Sequence, residues 1–518
     1  MKIHFGIILS MNYAPSILGN IAATKGWDVT LHHYSHLDTD SDIEEALTKD
    51  RPDIVALSFL LFGRNLAFRI ASVAKKMNIK VIAGGSHPTA CPDDLVLSGM
   101  FDAVIIGDGM GVMDEILDGI SDINGDVIYG KKHHDISLYT KRYFSDELKE
   151  RIIQTKTIEL LSSLGCPYNC YFCANTTKYS KIPNDILINS IVNAKKNYDI
   201  ERLFVFDDMF VTNKNNIRDF RIQIEKLGYS FSYKRTQLRA NIFNDEIAEE
   251  LKLLGVEELT FGIETASERL LKFINKRISI EDIYRAAEIC KKFNFAFNIY
   301  LMVGLPTQDK SDYEKTLEYV RQISPNNVHV YVFIPFPNTY LFNYCMDNGF
   351  IVKPIDYSNY LEIDPYSSEF TSSFIKPALS KIDYQMAHYY KHAFEMVIKE
   401  KQEDFIKSTL EKADKNKWIL FGTDDFFYFI LDKVNQYSFH NCIGYYDYDY
   451  QNGHKGRIYG FDNMVPRFNI KKINHLVDII VITVHKQGKF YQQFIRPLLR
   501  KKIGFQGHII SVSTFNNT

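Results

Sequence analysis

The 518-residue sequence has no long apolar run and no excess of either charge, and each absence excludes a class of protein. The longest apolar segments, residues 54–63 and 478–484, are shorter than the ~20 residues needed to cross a bilayer, so no membrane span is predicted. Lys and Arg total 61 against 63 for Asp and Glu, which gives a formal net charge of −2. Because this balance creates no long-range basic field, the sequence predicts no nucleic-acid partner.

Cysteines are few, seven in all, and a sparse, odd-numbered set is not a disulfide framework. Cys166, Cys170 and Cys173 lie within one short segment, which predicts a metal site in a reducing compartment. The first ten residues contain one Lys, a His within their apolar part and no small-residue cleavage site. We therefore interpret them as a strand rather than a signal peptide, and we expect a cytoplasmic protein.

The rest of the composition is ordinary, with 46% hydrophobic and 24% charged residues, and the length predicts about three domains at roughly 150 residues each. In residues 1–125, short apolar runs alternate with amphipathic stretches, which predicts a doubly wound parallel sheet of the flavodoxin or Rossmann type. The predicted strands are residues 2–9, 27–33, 53–58, 80–83 and 102–106. A ligand of such a sheet lies at the carboxyl ends of its strands.

Residues 126–155 are polar and irregular, and we interpret them as a connector. The α/β alternation resumes over 156–350, with predicted strands at 157–161, 203–206, 230–237, 258–263, 296–303 and 328–334. Helical segments fill the gaps, for example 187–197, 245–254, 280–293 and 309–323. Six βα units fit a closed or nearly closed barrel as well as an open sheet, and their spacing does not choose between them. We then expect a helical or irregular connector over 351–414 and a small α/β domain over 415–518. Its predicted strands are 418–421, 442–446, 478–484 and 508–512, with helices at 426–434 and 490–499 between them.

The three clustered cysteines directly follow the first apolar run of the second α/β region. A structural zinc would need a fourth protein ligand nearby, and neither His nor Cys occurs between Cys173 and Cys290. Three thiolates with no fourth ligand leave an open coordination position, as in an iron–sulfur cluster that binds a substrate. A zinc site with a distant ligand and simple buried thiols remain alternatives.

At these cysteines the sequence resembles the radical S-adenosylmethionine (SAM) superfamily, which has this spacing and an aromatic residue, here Phe172, before the last cysteine. Arg239-Ala-Asn241 and further segments resemble the subgroup that carries an N-terminal cobalamin-binding domain. The segments are 204–210 (FVFDDMF), 261–267 (FGIETAS) with the tail 274–276 (INK), 300–307 (YLMVGLPT) and 333–339 (FIPFPNT). Asn338 replaces the glycine that is usual in the last segment.

The resemblance implies a partial TIM-like (β/α) barrel in which Cys166, Cys170 and Cys173 bind a 4Fe–4S cluster and SAM binds the fourth iron. It implies that Phe172 lies against the adenine, because its flat apolar face shields one side from water.

Five further positions are implied as SAM contacts. Arg239 would pair with the SAM carboxylate, although a surface ion pair is an equal alternative. Glu264 would accept hydrogen bonds from the ribose or the ammonium group, since a buried Glu without a partner is costly. Asp207 and its neighbour should point to opposite faces of their strand, so one of them faces the site. Gly304 would permit close approach of the backbone to the adenine, or simply start a turn with Pro306.

Residues 84–94 (GGSHPTACPDD) and 107–109 (GDG) resemble segments of the cobalamin-binding domain of the same subgroup. Met110 stands where that subgroup has Glu, and the D-x-H-x-x-G segment that supplies a lower axial His elsewhere is absent, so we interpret His87 as a loop hydrogen-bonding residue. A domain that no longer binds cobalamin is the alternative. The predicted cobalamin-site residues are Ser10, Asn12, Ser58, Gly84, Gly85, Ser86, His87, Gly107, Asp108 and Gly109.

The C-terminal section resembles small Rossmann-like domains, yet of the three fingerprint glycines only Gly422 is present. Asp424 and Asp425 at the predicted helix start would repel a pyrophosphate. We therefore expect this domain to dock, to cover the substrate or to serve assembly.

The resemblance implies a cobalamin-dependent radical SAM enzyme, with a methyltransferase acting on an unactivated carbon as the preferred function. Its cofactors would be a 4Fe–4S cluster, SAM and cobalamin, and its partners a small-molecule or natural-product substrate and a reductant such as flavodoxin or ferredoxin. No side chain is required as a general base for methyl transfer, so no catalytic residue is assigned. The alternatives are non-methylating radical chemistry (oxidation, cyclisation or ring contraction) and a protein that senses SAM or cobalamin.

Overall fold

A computed structural model describes residues 1–8, 13–119, 122–174, 177–234, 236–351 and 357, parts of 386–397, residue 411, and five strands between 418 and 511. The chain divides into two compact units, Met1–Phe394 and Glu395–Thr518. Within the described residues, no helix is both long and apolar enough to span a membrane.

The N-terminal part of the first unit is a six-stranded sheet in which every neighbouring pair is parallel, in the order β2-β1-β3-β4-β5-β6. Its central strands are buried almost throughout, which explains their continuous apolar runs. The strands are β1 (Lys2–Ile8), β2 (Asp28–Tyr34), β3 (Ile54–Ser58), β4 (Lys80–Gly84), β5 (Ala103–Ile106) and β6 (Asp126–Tyr129). The helices are α1 (Tyr13–Thr24), α2 (Asp40–Asp50), α3 (Arg64–Lys76), α4 (Ser86–Ala90), α5 (Pro92–Val96) and α6 (Met113–Asp118). This strand order is that of flavodoxin-like folds, so the predicted doubly wound sheet is confirmed.

The prediction of an irregular connector over 126–155 is wrong in two places. Strand β6 lies in this segment and extends the sheet by pairing with β5. Helix α7 (Asp146–Thr155) follows it, with Ser145 as its N-cap. The sequence hides β6 because three of its four residues are exposed and show no apolar alternation.

The second part of the first unit is built from two parallel sheets, β11-β10-β7 and β12-β13-β14-β15, consistent with a partial TIM-like barrel. The strands are β7 (Thr157–Leu160), β8 (Ser163–Leu164), β9 (Ser180–Lys181), β10 (Arg202–Val205), β11 (Ser232–Lys234), β12 (Gln237–Leu238), β13 (Glu258–Glu264), β14 (Ala296–Val303) and β15 (Asn327–Val332). The single strand predicted over 230–237 is therefore two strands in two sheets.

The helices of this part pack apolar faces against the sheets. They are α8 (Asn184–Tyr198), α9 (Lys214–Lys226), α10 (Asp245–Leu254), α11 (Glu268–Phe273), α12 (Ile280–Phe293), α13 (Lys310–Ile323) and α14 (Tyr340–Asp347). Capping boxes, formed by Ser279 with Asp282 and by Asp309 with Asp312, fix the starts of α12 and α13. Short 3-10 helices at Leu61–Gly63, Gly109–Gly111, Ile136–Thr140 and Ala240–Ile242 complete the described elements of the unit.

The second unit contains a five-stranded sheet in the order β18-β17-β16-β19-β20. Its strands are β16 (Trp418–Gly422), β17 (Cys442–Asp449), β18 (Lys455–Gly460), β19 (Ile479–Ile482) and β20 (His508–Ser511). All neighbours are parallel except β17 and β18. The four predicted strands are present, β18 is additional, and the helices predicted at 426–434 and 490–499 lie outside the described residues.

Candidate functional site

The cysteine segment is a loop closed at its base by a small antiparallel pair. Ser163 and Leu164 of β8 pair with Lys181 and Ser180 of β9. Gly165 comes next, at φ +64°, and a Cβ there would collide with a backbone carbonyl on the other side of the loop. Only glycine therefore suits the position directly before the first cysteine.

Backbone hydrogen bonds hold the tip of this loop against two neighbouring segments. The amide of Tyr171 donates to the carbonyl of Ile274 at 2.9 Å, and the amide of Leu341 donates to the carbonyl of Tyr171 at 3.0 Å. The side-chain amide of Asn275 donates to the carbonyl of Asn169 at 2.6 Å. The loop is thus fixed from the barrel side and from α14.

Three thiols on one loop fit the donor set of an iron–sulfur cluster. Cys166 and Cys170 are half-buried, Cys173 is exposed, and none of the cysteines whose side chains are described is in a disulfide. Burial raises the pKa of the Cys166 thiol. In the part of the chain that the structure describes, no three His, Cys, Asp or Glu side chains converge closely enough to hold one metal ion. A cluster binds each thiolate through a different iron, so thiols spread along one loop suit it.

Asp207, predicted as a SAM contact, supports the base of the cysteine loop. It is 1% exposed. Its carboxylate accepts hydrogen bonds from the amide and hydroxyl of Ser162, at 2.9 and 2.7 Å, and from the hydroxyl of Ser163 at 2.7 Å. Burial raises the pKa of Asp207 to about 6, and these hydrogen bonds oppose the rise. Asp208 is exposed, so the two carboxylates do diverge.

Arg239 lies directly against the cysteine loop. Its guanidinium carbon is 3.7 Å from the ring centroid of Tyr168. Nη1 is 3.5 Å from Sγ of Cys170, Nε donates to the side chain of Asn241, and Nη2 donates to the backbone carbonyl of Lys276. The side chain is 5% exposed, so a surface ion pair is excluded as its role.

Glu264 ends β13 in a strained conformation and carries a buried ion pair. It has φ +64°, and the pairing of β13 with β14 shifts register between Gly262 and Glu264. Oε1 is 2.6 Å from Nζ of Lys276, and both side chains are buried. A Cβ on Gly262 would lie 2.9 Å from that oxygen, so the glycine makes room for the pair.

Lys276, the last residue of the tail 274–276, is a site residue to which the sequence motif assigns no role. Its ammonium group lies 5.6 Å from the ring centroid of Phe172, the aromatic residue before the last cysteine. The missed signal is electrostatic: a Glu expected to be buried needs a counter-charge, and the only basic residue in the quoted tail after the glutamate motif is this lysine.

Gly304 and Pro306 lie in the turn after β14. Gly304 has φ +74°, and its amide donates to the hydroxyl of Tyr313 at 2.9 Å. Both residues are buried, and the next residue, Thr307, also has positive φ. The turn therefore depends on the backbone freedom of Gly304.

A second group of predicted residues lines a cavity at the carboxyl ends of the N-terminal sheet. Apolar side chains of β1, β3, β4 and β5 form its floor, and those of α1 and α6 form its sides. Leu161, Leu164 and Thr177, which flank the cysteine loop, form another part of its wall. The predicted residues that line it are Ser58, Gly84, Gly85, Gly107, Asp108 and Gly109.

The turn around Gly85 brings backbone close to this cavity. Gly85 has φ +101°, and a Cβ there would lie 2.9 Å from the backbone nitrogen and oxygen of Phe59. Asp108 accepts hydrogen bonds from the amide of Met110 and the hydroxyl of Tyr139. An apolar floor with close-lying backbone suits a large, flat cofactor, so the residues present fit cobalamin.

Two predicted cobalamin-site residues do not line the cavity, and two others cannot be placed relative to it. His87 and Ser86 do not line it, and Nε2 of His87 instead bonds to Asp94 at 2.9 Å, as expected for a loop hydrogen-bonding residue. Ser10 and Asn12 lie outside the described residues.

Comparison with known proteins assigns both regions. Residues 160–320 match the Radical SAM superfamily, and residues 13–117 match the B12 binding domain. The sequence-based recognition of both domains is confirmed, and with it a radical SAM enzyme whose cofactors are a 4Fe–4S cluster, SAM and cobalamin.

The chain is similar to an uncharacterized methyltransferase of Pyrococcus horikoshii, with 26% identity over 66% of this chain and 80% of that protein. It is 21% identical to the anaerobic magnesium-protoporphyrin IX monomethyl ester cyclase of Rubrivivax gelatinosus, over 63% of this chain and 64% of the cyclase. It shares its fold with the radical S-adenosylmethionine methyltransferase TsrM of Kitasatospora setae, at a TM-score of 0.56 and 14% identity over 67% of this chain and 76% of TsrM.

Proposed function

We propose that the chain is a cobalamin-dependent radical SAM methyltransferase that methylates an unactivated carbon of a small molecule. The P. horikoshii relative and TsrM, both named methyltransferases, support methyl transfer over the non-methylating chemistry of the cyclase. Sequence identity and coverage are also higher for the P. horikoshii protein than for the cyclase.

The observation that carries this proposal is the shared wall of the cavity. Its floor belongs to the N-terminal sheet, while Leu161, Leu164 and Thr177 belong to the two ends of the cysteine loop. A methyl donor bound over the sheet and a radical generated at the loop would therefore act on one substrate between them. When bound, the cluster and SAM would supply a 5′-deoxyadenosyl radical, and cobalamin would supply the methyl group.

The residues of the chain would bind the cluster and SAM, orient them and shield them from water. Cys166, Cys170 and Cys173 would bind the cluster, and Phe172 would cover one face of the adenine. Glu264, with the turn at Gly304 and Pro306, would border SAM. The apolar walls of the cavity would exclude water, which a primary radical would otherwise encounter.

Around these sites we propose five divisions of the chain. Residues 1–125 would bind cobalamin and residues 156–350 would bind SAM. Residues 126–155 would connect them and contribute β6 and α7, residues 351–414 would form a second connector, and residues 415–518 would serve docking or cover the substrate.

Radical SAM chemistry needs a small-molecule substrate and an external reductant. We propose flavodoxin or ferredoxin as that reductant, and the cytoplasm as the compartment that keeps the cluster thiols reduced.

The test needs no knowledge of the substrate. The protein is purified anaerobically with cobalamin supplied, and iron, sulfide and cobalt are measured; we expect about four irons and one cobalt per chain. Methyl-labelled SAM and dithionite are then added. Label on the bound cobalamin together with 5′-deoxyadenosine is the expected result.

Three other results would separate the alternatives. 5′-Deoxyadenosine with no label on cobalamin would favour oxidation, cyclisation or ring contraction. Bound SAM or cobalamin with no SAM cleavage would favour a sensing protein. Zinc in place of iron would remove the radical mechanism.

A further inference from the structure

Arg239 is a buried cation without a carboxylate partner among the residues that the structure describes. The polar groups around it are a side-chain amide oxygen, a backbone carbonyl and the sulfur of Cys170. The nearby carboxylate of Glu264 is bound to the ammonium of Lys276. The Glu264 carboxylate is therefore already paired and does not balance the charge of Arg239.

An uncompensated charge with 5% exposure is costly, so such a residue is expected to face an anion when the protein is complete. The anion in reach is the thiolate of Cys170, since Nη1 already lies 3.5 Å from its sulfur. The ring of Tyr168, at 3.7 Å, holds the guanidinium plane, and the bond from Nη2 to the carbonyl of Lys276 fixes its rotation. Arg239 is thus oriented towards the sulfur before any ligand binds.

We infer that Arg239 is a positioning residue for the cluster: it donates a hydrogen bond to the thiolate of Cys170 and its charge raises the cluster's reduction potential, in place of pairing with the SAM carboxylate. The inference rests on the proposed function, because it requires Cys170 to be a cluster ligand. Hydrogen bonds to the sulfurs and the net charge around a cluster both set its potential. One electron from the external donor makes the cluster more negative, so a fixed neighbouring cation stabilises the reduced form.

The test is a redox titration of the reconstituted full chain, followed by EPR, in the absence of SAM. In Arg239→Gln the hydrogen bond and the charge are lost, and we expect the one-electron equilibrium to shift at least tenfold towards the oxidised cluster, which is about 59 mV. Arg239→Lys keeps the charge, so its shift should be smaller. SAM affinity is measured on the same samples by equilibrium dialysis.

Arg285 provides a matched control. It contacts the backbone carbonyls of Ala240 and Asn241 from the solvent side and is paired with Asp282. Arg285→Gln removes the same charge close to the same turn, yet solvent screens it, so the potential should not change.

The outcomes are separable. An unchanged potential in Arg239→Gln with weakened SAM binding would overturn the inference and assign Arg239 to the SAM carboxylate. If Arg239→Gln fails to retain iron while Arg239→Lys retains it, the charge is needed and the inference stands; loss of iron from both variants would overturn it in favour of a packing role. A wild-type protein that assembles no four-iron cluster would overturn the proposed function as well.

Discussion

Two buried carboxylates near the cysteine loop are stabilised in different ways, and the difference governs what their replacement should do. Glu264 has a cation, Lys276, within 2.6 Å. Asp207 has three neutral donors from Ser162 and Ser163 instead. Replacing either member of the ion pair leaves the other buried and unpaired, whereas the pKa of Asp207 is raised by burial, so its contribution to stability depends on pH.

For the ion pair of Glu264 and Lys276, we expect the effect of one substitution on the free energy of unfolding to depend strongly on the other. Lys276→Met leaves the Glu264 carboxylate buried and unpaired, and should lower the free energy of unfolding by about 3–5 kcal/mol. Glu264→Gln should likewise destabilise, because the ammonium loses its partner. The double variant should cost clearly less than the sum of the two, as measured by urea unfolding of the iron-free protein. Additive losses would mean that the pair does not couple.

For Asp207, we expect a stability difference that depends on pH. Its folded pKa of about 6 is above the ordinary value of 3.8, so the stability it contributes is fully present below pH 3.8 and is lost as pH rises through 6. Asp207→Asn does not titrate. The stability of wild type relative to this variant should therefore fall by about 2 kcal/mol between pH 4.5 and 7. Urea unfolding of both iron-free proteins across this range checks it, and a flat difference would contradict the raised pKa.

At the scale of single elements, the predictable features are those that an apolar run or a cap encodes. The core strands and helices such as α10 and α12 were placed within one or two residues, since their buried positions repeat with the right period. The bounds of α9 are less clearly encoded, since only Ile217, Phe220 and Ile224 of this helix are buried. The division of the strand predicted at 230–237 was also missed, because pairing partners, and not propensity, decide which sheet a short strand joins.

The turn after β4 offers a test at this scale. In Gly85→Ala the new Cβ would meet the backbone of Phe59 at 2.9 Å and would also strain a φ of +101°, so the turn must move. We expect the free energy of unfolding to fall by about 1–3 kcal/mol and less cobalamin to be retained during gel filtration.

Gly84→Ala is the matched control, because Gly84 lines the same cavity as its neighbour Gly85. The nearest atom to its Cβ, on Ile105, is 3.7 Å away, an ordinary contact. Its stability and cobalamin retention should stay close to wild type. Equal losses in both variants would show that bulk at the cavity, and not the conformation of the turn, is responsible.

At the scale of the whole molecule, the sequence predicts which domains are present but not how they meet. Motif residues such as the three cysteines and Gly85 are recognisable because their chemistry depends on local spacing. The Tyr13–Phe206 contact depends on residues far apart in the chain, and no local pattern reports it. The cavity wall formed by the residues that flank the cysteine loop likewise depends on contacts between segments that are far apart in the chain.

Tyr13 is one of the residues through which the two sites of the first unit touch. It is buried, lines the cavity, and stacks on Phe206 at 5.4 Å between centroids, directly before Asp207 in the chain. The guanidinium carbon of Arg142 lies 4.7 Å from the centroid of the Tyr13 ring, and the Tyr13 hydroxyl donates to the carbonyl of Tyr139. This ring is thus positioned to keep the cobalamin domain in register with the barrel.

Tyr13→Ala should therefore separate two activities that wild type performs together. The cysteine loop is untouched, so iron content and formation of 5′-deoxyadenosine from SAM should stay near wild type. Transfer of labelled methyl from SAM to cobalamin needs the two cofactors at a fixed distance, and it should slow on the order of tenfold or more. Tyr129→Ala, at a 76% exposed tyrosine on β6, should change neither rate. Parallel losses of both activities in Tyr13→Ala would mean that the ring supports the loop itself, since Asp207 follows its stacking partner in the chain.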